Sequence, residues 1–492
     1  LEFLDDILAA LVGPHLRGFE CGRGRLAEAV PPGGRLDFVD DRPSRGQLRG
    51  IEVSESLESL VHTPSFGEGS FETVCPAAVT NEGPLAGRGY IRPADGSGDM
   101  TATADGVERA RRALEESFGD SGERVTVASA PGRVNLIGGH TDYNEGFVLP
   151  AAIDHRTVVA ARPREDRTVR VRAVDLDDTA TFDLDGIEPA EDEHWSDYPK
   201  GVAQRILVRE HPIGGADLAI VGGVPMGAGL SSSAAIEVAT AEALTGAHDV
   251  SLGDELVDVC WEAETGFVGL SCGIMDQYAS VHGEPDSALF LDCRSREHEV
   301  VPLVADEVTL VVTNTNVRRE LVSSAYNDRV ATCRSAVEYF HQTLDRDIGA
   351  LRDVSVAEFE ANEATLSDPL RKRARHVVTE NARVEEAAAA LREERYGRVG
   401  ELLDASHASL RDDYEVSVPE LDAVVSVAAD CDGVYGSRLI GAGFGGCVLS
   451  LIRPDTEDAV TGAIEAGYRD RTGNDADVYV CNPDTGVQRH ET

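Results

Sequence analysis

The chain has 492 residues, with 88 acidic against 45 basic side chains, a net charge of −43 and a pI near 4.5. That charge argues against nucleic acid as a partner, and no stretch approaches the ~18 apolar residues of a membrane span. Nine cysteines scattered without paired spacing read as free thiols in a reducing cytoplasm.

Length alone suggests roughly three domains. Only two of the basic residues are lysines, Lys200 and Lys372, and the acids are spread along the chain. This composition resembles that of proteins from salt-accumulating halophiles, whose acidic surfaces stay soluble because salt screens their repulsion to a few Å. Residues 1–99 contain no Met and are broken by Gly and Pro clusters (PPGG, PSRG, GEGS). They read as a wrongly extended start, a disordered leader, or a small extra domain. The run ILAALVG is acid-flanked and lacks a basic n-region, which speaks against a signal peptide.

From residue 100 onward, a helix over Asp105–Phe118 precedes a strand over Arg124–Ala128. Residues 131–150, PGRVNLIGGHTDYNEGFVLP, follow as a Gly-punctuated loop. They hold too many polar groups for a core strand. Such convergent donors and acceptors suit a small polyhydroxylated ligand, although ordinary surface loops also collect polar residues. Strands are expected around 156–174 and at Ala216–Val221, with a helix at 197–209 between them. Then comes Gly223 to Ala235, with Gly227, Ala228, Gly229 and Leu230 leading into Ser231, Ser232 and Ser233 and a helix over 232–245. Strand, Gly-Ser turn and helix start make a phosphate cradle, with backbone N–H groups and the helix N-terminus aimed at an anion. The alternative is a tight turn and an ordinary Ser cap. No Lys follows the glycines, so the Walker pattern is missing.

Helices are expected at 252–267 and 275–282. Asp276 sits at the start of the second, as a dipole-friendly N-terminal acid or as a general base. Strands at 287–292 and 307–313, helices at 322–341 and about 367–410, and a strand–Gly turn–strand at 433–452 follow. A helix at 456–470 and a strand at 476–481 close the chain. The turn contains G-x-G-x-x-G, but it leads into VLSLI and not into a helix, so it reads as a close-approach turn and not a dinucleotide site. The mixture implies an α+β fold.

Taken together, six ordered segments resemble the galactokinases, within the superfamily that also holds homoserine, mevalonate and phosphomevalonate kinases. They are residues 131–150, 223–235, CGIMDQYAS at 272–280, SSAYNDR at 323–329, SHASLRDDYEVSVPELD at 406–422, and 438–447. The resemblance implies two domains, 100–285 and 286–492, with the active site in the cleft between them. It implies a monomeric cytoplasmic enzyme that phosphorylates D-galactose at the anomeric hydroxyl, with ATP as co-substrate and Mg2+. By the same resemblance Asp276 is the base and Arg133 stabilises charge beside it. His140, Asp142, Gly273 and Tyr326 line the sugar. Residues 227–233 hold the nucleotide phosphates, Trp195 lies near its base, and Ser233 with Glu264 holds magnesium. Gly139 departs from the family, which has Glu there, in contact with the C6 hydroxyl. A water in that gap, or a uronic acid as substrate, would accommodate the change. A sugar sensor that binds without turnover is the alternative of a different class.

Overall fold

Alternating small and β-branched residues build the first sheet because helices cover both of its faces. The computed structural model describes residues 100–490 except Glu193, Ser271 and 318–321, all within one unit, Gly89–Thr492. The expectations for residues 1–99 lie outside the described residues. The sheet runs in the order β13-β1-β3-β6-β4-β5, with β1 at Thr126–Asn135, β3 at Pro150–Pro163, β4 at Thr168–Ala173, β5 at Asp178–Asp183, β6 at Ala216–Val221 and β13 at Gln488–His490. It is antiparallel except where β4 meets β6. On one face, Val127, Val158, Ala160 and Ala219 pack against Ala110 and Leu114 of helix α1, Met100–Phe118. On the other, Ala128, Val159, Ala161 and Leu218 pack under helices α2 (Asp197–Val208) and α3 (Ser232–Ala247). Alanine recurs on α3 because the helix is buried nearly all round, and small side chains let its neighbours approach.

Helix α4 (Leu256–Glu262) runs into a π-helical turn, Ala263–Val268, and α5 spans Met275–His282. A small sheet follows, β2-β7-β8 (Phe147–Val148, Ser287–Asp292, His298–Pro302). A four-stranded antiparallel sheet follows in turn, β10-β11-β9-β12, made of Val434–Ile440, Cys447–Ile452, Thr309–Asn314 and Asp477–Cys481. Around it pack α6 (Val322–Thr343), α7 (Val356–Asn362), α8 (Leu370–Arg392), α9 (Tyr396–Asp412), α10 (Pro419–Ala429) and α11 (Glu457–Thr472). The architecture is α+β, as expected. Strands cross position 285 in both directions: β2 pairs β7, and β13 returns to β1. Among the described residues no helix is long and apolar enough to cross a membrane.

Two expectations need correction. The polar loop expected from residue 131 is strand as far as Asn135, and all ten residues of β1 are buried. The polar heads of Arg133 and Asn135 are tolerated there because each is hydrogen-bonded. The helical stretch at 367–410 breaks at Glu394, whose φ of 54° ends α8 before α9 begins.

Helix α8 contributes the buried Glu380. Its Oε1 accepts the backbone N–H groups of Gly138 (3.0 Å) and Gly139 (3.1 Å) and the Ser406 hydroxyl (2.6 Å), and Arg383 binds Oε2 at 2.7 Å. Burial alone would raise its pKa. The positive charge of Arg383, together with His376, Arg438 and the Ser406 hydrogen bond, outweighs burial and holds it well below the ordinary value. Glu380 therefore fixes the turn after β1. Replacing Glu380 with Gln is expected to destabilise the protein by about 3 kcal/mol, the scale for breaking a buried charged pair. Because the folded pKa lies below the unfolded value of 4.5, this contribution is fully present above pH 4.5 and is lost as pH falls below it. Urea unfolding of both proteins at neutral and acid pH measures the difference and its decline.

Candidate active site

The Gly-Ser turn, the end of β1 and the start of α5 converge on one carboxylate. Asp276, in the first turn of α5, accepts from Arg133 Nε at 2.8 Å and Nη2 at 2.6 Å, and from the Ser231 hydroxyl at 2.5 Å. Arg133 Nη1 donates to the Gly229 carbonyl at 2.7 Å, and the Arg133 backbone N–H donates to Leu230 O at 3.0 Å. The base candidate, its arginine and the Gly-Ser turn are thus one hydrogen-bonded unit. Asp276 keeps a fifth of its side chain exposed (20 %) while Arg133 is almost covered (8 %).

Ser231 does not act as an ordinary cap. It is the N-cap of α3 by position, yet its side chain makes no capping bond and its φ is 57°. The hydroxyl goes to Asp276 instead. The backbone N–H groups at the start of α3 are left without a side-chain cap and can meet an anion. Gly227 and Gly229 take left-handed φ values of 71° and 66°, which glycine alone adopts without strain. The Gly-rich turn after β10 lies opposite: a Cβ on Gly441 would come 4.0 Å from Gly229 Cα. This is the close approach expected of that turn.

Beside Asp276 lies a polar aromatic pocket. His140 donates or accepts through Nδ1 to Tyr143 Oη at 2.8 Å and through Nε2 to the Ala442 carbonyl at 3.2 Å. A carbonyl only accepts, so the network places the proton on Nε2. Burial, followed by the charge of His376, lowers the His140 pKa to about 3, so the ring is neutral. Rings of Tyr143, Tyr326 and Tyr414 surround it, with centroids 4.7–5.8 Å away. Asp142 is pushed up to about 6 by burial and then by the negative charge of Asp276. Gly273 touches it so closely that a Cβ there would stand 2.2 Å from Asp142 Oδ2. His140, Asp142, Gly273, Tyr326, Asp276 and Arg133 are therefore brought together.

On the far side of Asp276, the Ser233 hydroxyl bonds to Glu264, whose pKa is raised by burial and by Asp276. Gln277 Nε2 donates to Glu264 Oε2 at 2.6 Å and to Glu237 Oε2 at 2.9 Å, all of them buried. Glu237 Oε1 and Gln277 Oε1 have no hydrogen-bond partner among the described residues. A hydroxyl and a carboxylate held together beside unpartnered buried oxygens form a hard oxygen-donor set, which fits magnesium carried in with phosphates. Trp195 makes its contacts elsewhere: its indole N–H donates to Asp178 and its ring lies tilted against His194.

Sequence reasoning missed Ser231 as a partner of Asp276, and missed Gln277, Glu237, Glu380 and Tyr414. The SLRDDY run held Tyr414, and MDQ held Gln277, but spacing cannot show which buried polar side chains meet. At Gly139, a Cβ would stand 2.6 Å from Arg438 Nη2 and 3.3 Å from Leu410. Arg438 is fully buried, with Nη1 bound to the carbonyls of Asn135 and Leu136. Gly139→Glu is therefore expected to overpack the arginine and lower stability by about 1–3 kcal/mol. Sugar affinity is expected to stay within about twofold. Denaturant unfolding and calorimetric sugar titration of the variant test both halves.

Comparison with known proteins identifies the family. Residues 112–163 match the galactokinase galactose-binding signature, 197–284 the GHMP kinase N-terminal domain and 387–470 the GHMP kinase C-terminal model. A galactokinase of Roseiflexus sp. (strain RS-1) is 48% identical over 364 residues, covering 74% of this chain and 92% of that protein. One of Chloroflexus aurantiacus is 46% identical over 376 residues, covering 76% and 95%. The crystal structure of Lactococcus lactis galactokinase complexed with galactose superposes with a TM-score of 0.74 at 38% identity, covering 79% of this chain and 99% of that one. The chain belongs to the galactokinases of the GHMP kinase family.

Proposed function

We propose that this protein transfers the γ-phosphoryl group of ATP to the anomeric hydroxyl of D-galactose, giving α-D-galactose 1-phosphate and ADP. The carrying observation is the Arg133–Asp276–Ser231 unit, which sets a carboxylate between the sugar pocket and the start of α3. An anomeric hydroxyl is a weak nucleophile. Asp276 takes its proton as the new O–P bond forms. Arg133, held on Asp276 and the Gly229 carbonyl, puts positive charge where the phosphoryl oxygens gather negative charge. The unclaimed N–H groups of α3 and the Gly-Ser turn bind the phosphates. Ser233 and Glu264 would hold Mg2+, which when bound neutralises part of the nucleotide's charge. His140, neutral and with both ring nitrogens held by Tyr143 and the Ala442 carbonyl, forms a fixed wall of the sugar pocket, with Asp142 as acceptor for sugar hydroxyls beside it.

The sensor reading calls for a lost base or an altered Ser run; here both are present and bonded to each other. Rates on galactose, galacturonate, arabinose and N-acetylgalactosamine, in molar KCl to suit the acidic surface, test the activity and its sugar. Galactose is expected to be preferred, and preference for another sugar overturns the assignment.

Asp276→Asn is expected to lower kcat by roughly two to four decades while calorimetric binding of galactose persists. Near-normal turnover would remove Asp276 as the base.

Asp142 supplies a pH dependence. Its folded pKa of about 6 is raised above the ordinary 3.8, so it is neutral below pH 6 in the free enzyme and a carboxylate above. Acceptor bonds to sugar hydroxyls strengthen as the charge appears, so galactose affinity is expected to rise as pH increases through 6 and to level off by about pH 7. Titration calorimetry across this range, with Asp142→Asn as the flat control, measures it. An equal slope in both proteins assigns the titration to another group.

A further inference from the structure

Away from the active site, three metal-ligating side chains of different chemistry meet. Donor atoms of Asp154, His155 and Cys481 all lie within 4.8 Å of one another, and among the described residues no other such group occurs. Asp154 and His155 belong to β3 of the six-stranded sheet, and Cys481 ends β12 of the four-stranded sheet. The cluster therefore sits on the seam where the chain leaves one sheet for the other.

The frame around it is fixed. Asp154 N–H donates to Asn482 O at 3.1 Å, Asp484 N–H to Ala152 O at 3.0 Å, and Ile153 bridges Pro483. Asn482 holds both oxygens of Asp154, through its backbone N–H at 3.2 Å and its Nδ2 at 3.0 Å. The His155 Nδ1 lies 3.1 Å from Asp154 Oδ1, and Tyr479 stands edge-on to the imidazole with centroids 6.2 Å apart. Two of the three side chains are thus oriented by outer contacts, as ligands of metal ions usually are. Cys481 is fully buried, while Asp154 and His155 each keep 19% of the side chain exposed, leaving an open side for water or an entering ion.

The donors also choose the ion. Metal–ligand distances of about 2.0–2.3 Å put neighbouring tetrahedral ligands roughly 3.3–3.8 Å apart, so shifts of about 1 Å close the trio around one ion. A sulfur, an imidazole nitrogen and one carboxylate suit zinc or cobalt, and not magnesium or calcium, which call for oxygen.

We propose that Asp154, His155 and Cys481 form a site for one divalent transition-metal ion of the zinc class, which ties β12 to β3 across the seam. Binding releases the thiol proton of Cys481 and leaves water on the open side. The crossing is already held by Arg156, bound to Asp484 at 2.9 Å and to the carbonyls of Thr485 and Gly486 at 2.7 Å each. The ion thus strengthens a fold that forms without it, and it takes no part in phosphoryl transfer.

The test uses the full chain, stripped with chelator, with Co2+ as the optical probe and Zn2+ by calorimetry. One equivalent of Co2+ is expected to give a thiolate-to-cobalt charge-transfer band, abolished by Zn2+, and Zn2+ is expected to raise Tm saturably. Cys481→Ser should lose the band and the Tm rise while keeping kcat/KM for galactose. Asn482→Ala should weaken Zn2+ binding about 10- to 100-fold by releasing Asp154. If Cys481→Ser does not fold, His155→Gln replaces it, with the same loss expected. No band in the wild type, or an unchanged band in the variants, overturns the site and leaves the trio as a hydrogen-bonded clasp.

Discussion

The active site depends on the two-pronged contact between Arg133 and Asp276. Its partners lie 143 residues apart, one late in β1 and the other in the first turn of α5. A buried guanidinium loses its hydration, and Coulomb attraction offsets that only with good geometry and filled hydrogen bonds. Here three nitrogens of Arg133 are used, two on Asp276 and one on the Gly229 carbonyl. Several other features follow from this. β1 must continue past Pro131 to carry Arg133, and the bulge between Pro131 and Arg133 sets its direction. Gly132 must lack a side chain, because a Cβ there would stand 2.5 Å from Leu230 O.

The second anchor holds the sugar pocket in place. The turn at Gly138–Gly139 would present two buried donors with no strand to pair with, and Glu380 accepts both. That fixes His140, whose φ of 63° is costly for a residue with a side chain. His376 adds a contact from its Nε2 to the Gly139 carbonyl at 2.9 Å. The pocket's direction is set by residues of α8 that touch no part of the catalytic unit. This separates two kinds of failure: losing Glu380 loosens the turn, whereas losing Asp276 removes a carboxylate from an otherwise ordered pocket.

Much of this was legible in the sequence. The Gly-Ser turn, the start of α5 and the strand–turn–strand at 433–452 carry local signals, because glycines, caps and apolar periodicity act within a few residues. Arg133, His140, Asp142, Gly273, Tyr326 and Asp276 could be named because resemblance carries them as a set. Position 139 was not decided by pattern. A one-dimensional pattern says which residue is replaced but not where its Cβ points, and only packing against Arg438 and Leu410 decides that. β1 was cut short for a similar reason. Polar residues in a strand look unfavourable until their partners, far along the chain, are counted. Glu237, Gln277 and Glu380 were invisible for the same cause, since a buried polar residue on a helix reads as surface until the neighbouring elements close over it.

Backbone strain gathers where the chemistry is. His140, Ser231 and Phe444 all have positive φ, while most other side-chain-bearing residues in that region are Asp, Glu or Asn in turns. Such conformations cost on the order of 1 kcal/mol each and persist only where the surroundings enforce them. For Ser231 the enforcement is visible. In the left-handed region its hydroxyl points to Asp276 and away from the N–H groups of its own helix. The same rotation thus adds a donor to the base and leaves the start of α3 uncapped. An ordinary extended N-cap would do the opposite, satisfying the helix and withdrawing the donor from Asp276. The strain at Ser231 therefore links the start of α3 to Asp276 through a single side chain.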